Sequence, residues 1–248
     1  MIASLPMYDR LELTEAHGRF WELIRRELEA LGVAGPASLS RGVSDLLGHW
    51  RSPDLVLSQT CGMPYRLELR DAVALVGTPD YGVEGCPPGY YRSLFVARTS
   101  DERSSPEEFA SGTFAFNETM SQSGYNAAKT HVHAMGFWFA QERQTGGHVA
   151  SAHAVARGSA DIAAIDAVTW RLMQRHDPVV SALRVVDATT PTPGLPYITS
   201  VRSDAHVIFA AVTQAIARLS PQDRGALGIL GLVTIPDEDY LAIPTSAG

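Results

Sequence analysis

Short apolar runs alternate along the chain with amphipathic segments, and this alternation predicts an α/β fold with mainly parallel sheets flanked by helices. From Thr14, a suitable N-cap, apolar residues recur every three or four positions until Gly32, which predicts one long helix. The other predicted helices are Ser123–Met135, Ser151–Arg157, Ala167–Arg175, Ala205–Leu219 and a shorter one opened by Ser220-Pro221. The predicted strands are Ile2–Leu5, Asp54–Ser58, Ala72–Gly77, Leu94–Ala97, Thr113–Phe116, Asp161–Ile165 and Leu183–Val186.

Two changes of composition divide this series into two lobes. A charged, serine-rich stretch spans Thr99–Glu108, and a proline-rich connection spans Thr189–Pro196. We therefore expect a discontinuous first lobe, residues 1–95 and 190–248, and an inserted second lobe, residues 96–189. A chain that crosses twice between lobes has the connectivity that a hinge requires.

Composition and charge narrow the class of protein. The 248 residues are 45% hydrophobic and 19% charged, as in soluble globular proteins, and the formal net charge of −7 argues against a nucleic-acid partner. No apolar run reaches the roughly 20 residues of a membrane helix, so we expect no membrane insertion. Because the first residues lack a basic region and a long apolar run, we expect either a cytoplasmic protein or a chain that follows a removed leader. Cys61 and Cys86 are compatible with two reduced thiols or with one bridge.

The most informative polar stretch lies between the predicted Thr113–Phe116 strand and the helix after it. Ser121, Gln122, Ser123 and Gly124 stand where α/β sheets bind ligands. Two hydroxyls and the N–H groups of a helix start can converge on one oxyanion, and glycine permits close backbone approach. The alternative interpretation is an ordinary serine N-cap.

A second stretch supplies three more candidates. His148 and Ser151 precede or begin the next predicted helix, which Ser151 could cap. Asp166 follows a strand at the same sheet edge, where it could contact ligand, cap the helix from Ala167, or do both.

First-lobe candidates also follow strands. Tyr8 and Asp9 come after the first strand, Gln59 and Thr60 after the next, and Tyr81 after the strand that ends near Gly77. Loop residues at this edge are possible ligand contacts, and the alternative interpretation is surface turns beside Pro6, Pro64 and Pro79. The acidic Asp9, Glu118 and Asp166 suggest an ammonium group or a protonated oxygen on the ligand.

Neither a metal, a cofactor nor catalysis is expected. The sequence has no HExxH or CxxC motif, and His131 and His133 would project from different sides of one helix. It also lacks a nucleophile elbow, a Walker loop and a G-x-G-x-x-G loop. The aromatic residues Phe137, Trp138 and Phe139 are better explained by packing than by base stacking, because few basic residues flank them.

Several of these segments resemble the phosphate/phosphite/phosphonate-type periplasmic binding proteins. The matching segments are Gln59–Tyr65, Gly85-Cys86, Ser121–Tyr125, Gly158–Ala167 and the segment from Gly231-Leu232 to Asp239-Tyr240. The resemblance implies a type II binding-protein fold whose two lobes close on a small anionic ligand. It implies that Ser121 and Ser123 grip phosphonyl oxygens and that Asp166 holds a ligand amine or protonated oxygen. By position alone, it extends to Tyr8, Thr60 and His148.

The resemblance also implies partners. A solute-binding protein delivers its phosphonate-like or phosphate-like ligand to an ABC-type permease, and a sensor protein is a further possibility. Members of the family are exported or lipid-anchored, which the absence of a visible leader leaves unexplained. An alternative is a cytoplasmic enzyme of the menaquinone- or thiamine-pathway type on the same fold, acting on a small carboxylate with Asp166 and His148 as its acid/base pair.

Overall fold

A computed structural model describes residues 1–245. The strands are β1 (Ile2–Ala3), β2 (Leu55–Gln59), β3 (Val73–Asp80), β4 (Tyr90–Tyr91), β5 (Ser93–Arg98), β6 (Thr113–Phe116), β7 (Gln141–Gln144), β8 (Ile162–Asp166), β9 (Leu183–Ala188), β10 (Thr192–Pro193), β11 (Tyr197–Ser200) and β12 (Gly231–Val233). The α-helices are α1 (Thr14–Ala30), α2 (Leu46–Trp50), α3 (Gly62–Pro64), α4 (Ala127–Ala134), α5 (His148–Ala156), α6 (Ala167–His176), α7 (Ala205–Ala217), α8 (Pro221–Leu227) and α9 (Asp237–Leu241). Short 3-10 or π-helical turns occupy Leu11–Leu13, Tyr65–Leu69, Pro106–Phe109, Gln122–Asn126 and Pro178–Ala182.

The chain forms two compact units. The first contains Met1–Tyr90 and Pro193–Ala242, and the second contains Tyr91–Thr192 and, of the residues after Ala242, the described part 243–245. The outward crossing thus lies about five residues before the predicted boundary, and the final described residues group with the second unit. Strands β4 and β10 pair, and the chain passes between the units within each of them.

The first unit is built on a five-stranded sheet of order β1-β2-β11-β3-β12. Helix α1 buries one apolar side, which includes Phe20, Trp21, Ile24 and Leu28, and packs against α7 and α8. This amphipathic spacing is why the predicted helix is confirmed. It ends, as expected, just before Gly32, whose φ of +77° is accessible to glycine without strain. Thr14 is the first helical residue and Leu13 is the N-cap, so the predicted capping role of Thr14 is wrong.

The second unit has a five-stranded sheet of order β7-β6-β8-β5-β9. Its two faces are covered by separate apolar clusters: Trp170 and Met173 belong to one, and Phe109, Phe114 and Phe139 to the other. The rings of Phe114 and Phe139 stack with centroids 4.8 Å apart. The aromatic stretch of residues 137–139 therefore contributes to the packing of this unit.

The α/β class is confirmed, but both sheets are mixed. In the first sheet β1 and β2 pair in parallel, whereas β11 is antiparallel to both β2 and β3. In the second, β6 is parallel to β7 and β8, and β5 is antiparallel to both β8 and β9. The sheets are mixed where mainly parallel ones were expected, because β11 and β12 run opposite to β1, β2 and β3 in the first sheet and β5 runs opposite to the other four strands in the second.

Three further observations concern membrane helices, the two cysteines and metal sites. No helix within residues 1–245 is long and apolar enough to cross a lipid bilayer. Cys61 and Cys86 are partly buried and are not joined by a disulfide. Among the described residues, no group of three or more His, Cys, Asp or Glu side chains is arranged to hold a metal ion.

Candidate ligand-binding site

One edge of the second sheet collects the ends of several strands. β6, β7, β8 and β9 run in the same direction and finish at this edge, and the reversed strand β5 begins there. The chain also enters and leaves the unit at this edge, through Tyr91 and Thr192. The candidate residues after these strands are therefore brought together by topology, as open α/β sheets require for a ligand site. We call this set of strand ends the second-unit edge.

The segment Ser121–Gly124 forms the start of a helix at the second-unit edge. Ser121 is the N-cap, and its Oγ accepts a hydrogen bond from the N–H of Gly124 at 3.0 Å. The following turn, Gln122–Asn126, is π-helical and continues into α4, so the helix begins one residue before the predicted Ser123. The capping interpretation of Ser121 is thus observed. Within this turn, the N–H of Asn126 also donates to the carbonyl oxygen of Ser121 at 3.0 Å. Helix starts in general present N–H groups that favour anions.

Gly124 is required by packing inside the unit. A Cβ atom at this position would lie 1.8 Å from Asn117 Oδ1 and 3.2 Å from His148 Cε1. No side chain fits that space, so glycine lets the helix start approach both the end of β6 and the start of α5. The space beside Gly124, which the sequence suggested would admit a ligand, is occupied by the side chains of Asn117 and His148.

Ser123 and His148 are in direct contact. Ser123 Oγ lies 3.0 Å from His148 Nε2, although the residues are 25 positions apart. Ser123 is buried, and the other ring nitrogen of His148, Nδ1, is also shielded from solvent. Burial holds the pKa of His148 below its ordinary value, which the negative charge of Asp166 and the carbonyl of Ala164 only partly oppose. The imidazole is therefore neutral near pH 7. Depending on the tautomer, its Nε2 either donates to the hydroxyl of Ser123 or accepts from it.

Ser151 does not cap a helix. Helix α5 begins three residues earlier, at His148, with Gly147 as the N-cap. Ser151 lies fully buried in the first turn, where its Oγ is 2.7 Å from the Oγ1 of Thr145. Thr145 also donates toward the carbonyl oxygen of Phe116, at 2.9 Å, and so joins β6, β7 and α5. The predicted cap is wrong because the preceding glycines already end the loop at residue 147.

Asp166 caps the next helix. Its Oδ1 accepts hydrogen bonds from the N–H groups of Val168, at 2.7 Å, and Thr169, at 2.9 Å. Only 2% of the residue is exposed. The structural alternative for this aspartate is therefore observed, and its charge faces His148 from the interior of the unit.

Ser93 and Thr189 were missed by the sequence reasoning. Ser93 is the first residue of β5, and its Oγ donates to the carbonyl oxygen of Ser123 at 2.7 Å. The backbone N–H of Ser93 in turn donates to Thr189 Oγ1 at 3.0 Å. These bonds connect the Ser121–Gly124 segment to the start of β5 and to the residue that follows β9. No local pattern could have indicated them, because the partners are 30 and 96 residues apart.

The first unit has a corresponding edge, at which β2 and β3 end and β11 begins. Tyr8 contacts Tyr81 edge to face, with ring centroids 5.0 Å apart, and Gln59 Nε2 donates to Tyr81 Oη at 3.3 Å. Thr60 is buried, and its hydroxyl lies 3.4 Å from the carbonyl oxygen of Cys61. Sequence reasoning thus placed Tyr8, Gln59 and Tyr81 together correctly, while the side chain of Thr60 contacts the backbone of the next residue, Cys61.

Two acidic candidates have different surroundings. Asp9 forms an ion pair with Arg41, and its Oδ1 lies 3.4 Å from His17 Nδ1. These bonds outweigh burial, so the pKa of Asp9 lies below its usual range. Glu118, by contrast, has an exposed side chain.

Comparison with protein families decides which class this chemistry belongs to. Residues 2–240 match the family described as the periplasmic substrate-binding protein of phosphonate ABC transporters. The chain belongs to this family. The resemblance recognised in the sequence is thereby confirmed, and with it the reading as a substrate-binding protein of an ABC phosphonate transporter.

Solved structures support the same fold. XAC2383 from Xanthomonas citri, bound to ATP, aligns with a TM-score of 0.71 and 16% identity over 96% of this chain and 92% of that one. PhnD1 from Prochlorococcus marinus, in complex with methylphosphonate, aligns with a TM-score of 0.73 and 15% identity over 97% of this chain and 94% of that one. A binding-protein component of a phosphonate ABC transporter from Pseudomonas aeruginosa aligns with a TM-score of 0.69 and 16% identity over 97% of this chain and 82% of that one. No curated protein sequence matches the chain. The expected type II periplasmic-binding-protein fold is confirmed.

Proposed function

We propose that this substrate-binding protein captures the phosphonyl group of a small phosphonate-like ligand at the second-unit edge. The observation that carries the proposal is the Ser123–His148 contact, in which a buried neutral imidazole holds a serine hydroxyl at the start of a helix. This helix start lies at the end of β6, where an α/β sheet offers N–H groups to anions.

Each residue of the helix start has a role in this proposal. The hydroxyl of Ser123 and N–H groups at the start of the Gln122–Asn126 turn donate to phosphonyl oxygens. Hydrogen bonds to an ionised acceptor are about twice as strong as those between neutral groups. Ser121 and Gly124 fix the turn through their own mutual hydrogen bond. His148 orients Ser123, while Ser151 and Asp166 hold the starts of α5 and α6 in place.

Tyr8 and Thr60 remain proposed ligand contacts of the first unit. The Tyr8 ring is held against Tyr81, and Tyr81 is held by Gln59, so the aromatic surface at that edge is rigid. Rigid aromatic side chains contribute contact area at a low cost in conformational entropy.

The finer statements about activity, partner and location are also proposals. We propose that the protein binds without turning over its ligand, because Asp166, the candidate partner of His148 in an acid/base pair, accepts hydrogen bonds from two N–H groups as a helix cap. The family implies an ABC permease as partner and the periplasm as location. Recognition by a sensor protein is the remaining alternative, which co-purification with either membrane partner distinguishes.

Isothermal titration calorimetry tests the function. Methylphosphonate, phosphite, phosphate and a small cyclic carboxylate are titrated into the purified chain, and each mixture is then assayed for product by mass spectrometry. We expect saturable binding of at least one phosphorus oxyanion, with the ligand recovered intact. Absence of binding across all three phosphorus compounds contradicts the proposal, and conversion of the carboxylate supports the enzyme instead.

A further inference from the structure

The acidic side chains at the edge of each sheet bear on which phosphonates the proposed ligand contacts accept. The sequence suggested that Asp9, Glu118 or Asp166 could bind an ammonium group or a protonated oxygen on the ligand. A carboxylate that is reachable and not already satisfied is the strongest protein partner of a ligand ammonium group, because an unpaired cation in a desolvated site is strongly unfavourable. The surroundings of each carboxylate therefore report on ligand class.

At the second-unit edge, the carboxylates serve the protein itself. Asp166 is buried and accepts from two N–H groups of α6. Asp187, next to the end of β9, accepts from His131 Nε2 at 2.8 Å and from the N–H of Ala188 at 2.7 Å. Drawing either group toward a ligand would leave buried N–H groups or a histidine without their partner.

At the edge of the first unit, two more carboxylates are occupied. Asp9 is paired with Arg41, and His17 Nδ1 lies 3.4 Å from its Oδ1. Asp80, the last residue of β3, accepts from the N–H of Gly82 at 2.9 Å and from that of Gly89 at 3.3 Å. A ligand ammonium would have to compete with a guanidinium for Asp9 and with two turn-forming hydrogen bonds for Asp80.

Glu118 is exposed, so it differs from these four. An exposed carboxylate keeps its hydration, and an ion pair formed there adds little affinity. The proposed contact Tyr8 and its neighbour Tyr81, whose rings meet edge to face, carry no carboxylate that could act as a counterion.

We infer that the ligand is a phosphonate or phosphite whose substituent carries no positive charge, and that aminoalkylphosphonates are rejected. This inference rests on the proposed function, since it concerns the same site. It reverses the expectation that Asp166 holds a ligand amine, because the side chain that would do so caps α6.

A matched pair of ligands tests the inference. Propylphosphonate and 2-aminoethylphosphonate have the same number of heavy atoms and differ by a methyl group in place of the ammonium group. We expect calorimetry to show propylphosphonate or methylphosphonate binding at least tenfold more tightly than 2-aminoethylphosphonate. Equal or tighter binding of 2-aminoethylphosphonate overturns the inference and leaves the proposed function intact. Absence of binding by every phosphonate and by phosphite overturns both.

The variant Glu118→Gln provides an internal control. Because Glu118 is exposed and serves no cap or ion pair in our account, the variant should fold normally and keep the same ratio of alkyl to aminoalkyl affinity. A loss of affinity confined to 2-aminoethylphosphonate would show that Glu118 binds the ammonium group, and it would overturn the inference.

Discussion

At the scale of single residues, the site depends on a hydroxyl and an imidazole that meet from different elements. Ser123 is contacted from two sides, by His148 through its side chain and by Ser93 through its carbonyl oxygen. Both contacts restrain the rotation and position of the serine before a ligand arrives. Such preorganisation lowers the entropy that binding must overcome.

Ser123→Ala removes the proposed donor to the ligand. Loss of one hydrogen bond to a charged group costs about 1.5–3 kcal/mol, so the Kd for methylphosphonate should rise roughly 10- to 150-fold. Calorimetry of the variant measures this directly. Ser159→Ala is the matched control, because Ser159 is exposed and bonds to the carbonyl oxygen of Ala154 far along the sequence from the helix start. An unchanged Kd in Ser123→Ala would contradict the assigned role.

The pH dependence of stability reports on His148. Because burial lowers the pKa of the folded state, the unfolded chain takes up a proton first as the pH falls below about 6.5. The free energy of unfolding should therefore be constant above that pH and decrease below it, by up to about 1.4 kcal/mol for each unit by which the pKa is depressed. His49, whose pKa is also lowered by burial, contributes in the same direction.

Denaturant unfolding at pH 7.5 and 5.5 tests this dependence. His148→Gln should show a smaller decrease than the unmodified chain, and His206→Gln, which changes an exposed residue of α7, should show the same decrease. If His148→Gln retains the full decrease, the histidine is not held neutral by the fold.

At the scale of elements, the helix start after β6 is shaped by the absence of a side chain. Gly124→Ala would place a methyl group against Asn117 and His148, and overpacking of this kind costs about 1–3 kcal/mol. We expect a lower melting temperature and weaker phosphonate binding together, measured by thermal unfolding and calorimetry. Gly18→Ala in α1 has no atom within 4 Å of the new methyl group, so it should be neutral or stabilising by about 0.4–1 kcal/mol. Equal melting temperatures for the two variants would contradict the packing account.

Elements with a strong apolar pattern were the predictable ones. β6 was located to the residue because it is a short continuous apolar run, and α1 to within two residues of its end because its apolar side chains recur at helical spacing. β7 was missed because its sequence, Gln-Glu-Arg-Gln, is exposed throughout and has no apolar side. The reversed position of β5 could not be derived, because apolar runs indicate strands but not their direction.

The candidate site was predictable in position but not in detail. Placing Ser121–Gly124, His148 and Asp166 at one edge followed from the rule that α/β sheets gather loops at their strand ends. The actual partners of Ser123 and Ser151 depend on contacts between elements, such as Ser93 with Ser123, that no local spacing encodes.

At the scale of the whole molecule, each unit contains a complete sheet. All five strands of the second sheet come from Tyr91–Thr192, and the first sheet is completed by strands from both sides of that insertion. The ends left by removing the insertion are already adjacent, because Gly194 donates to the carbonyl oxygen of Gly89 at 2.9 Å. A chain in which residues 91–192 are replaced by two glycines should therefore fold and unfold cooperatively, as circular dichroism would show. A shortened chain without a thermal transition would contradict the division into units.

The position of the bound phosphonyl group is the most direct test of the account. A crystal structure of the protein with methylphosphonate should show a phosphonyl oxygen within hydrogen-bonding distance of Ser123 Oγ and of a backbone N–H in the Gln122–Asn126 turn. A ligand bound elsewhere, with Ser123 still bonded only to His148, would contradict the central claim that this helix start holds the oxyanion.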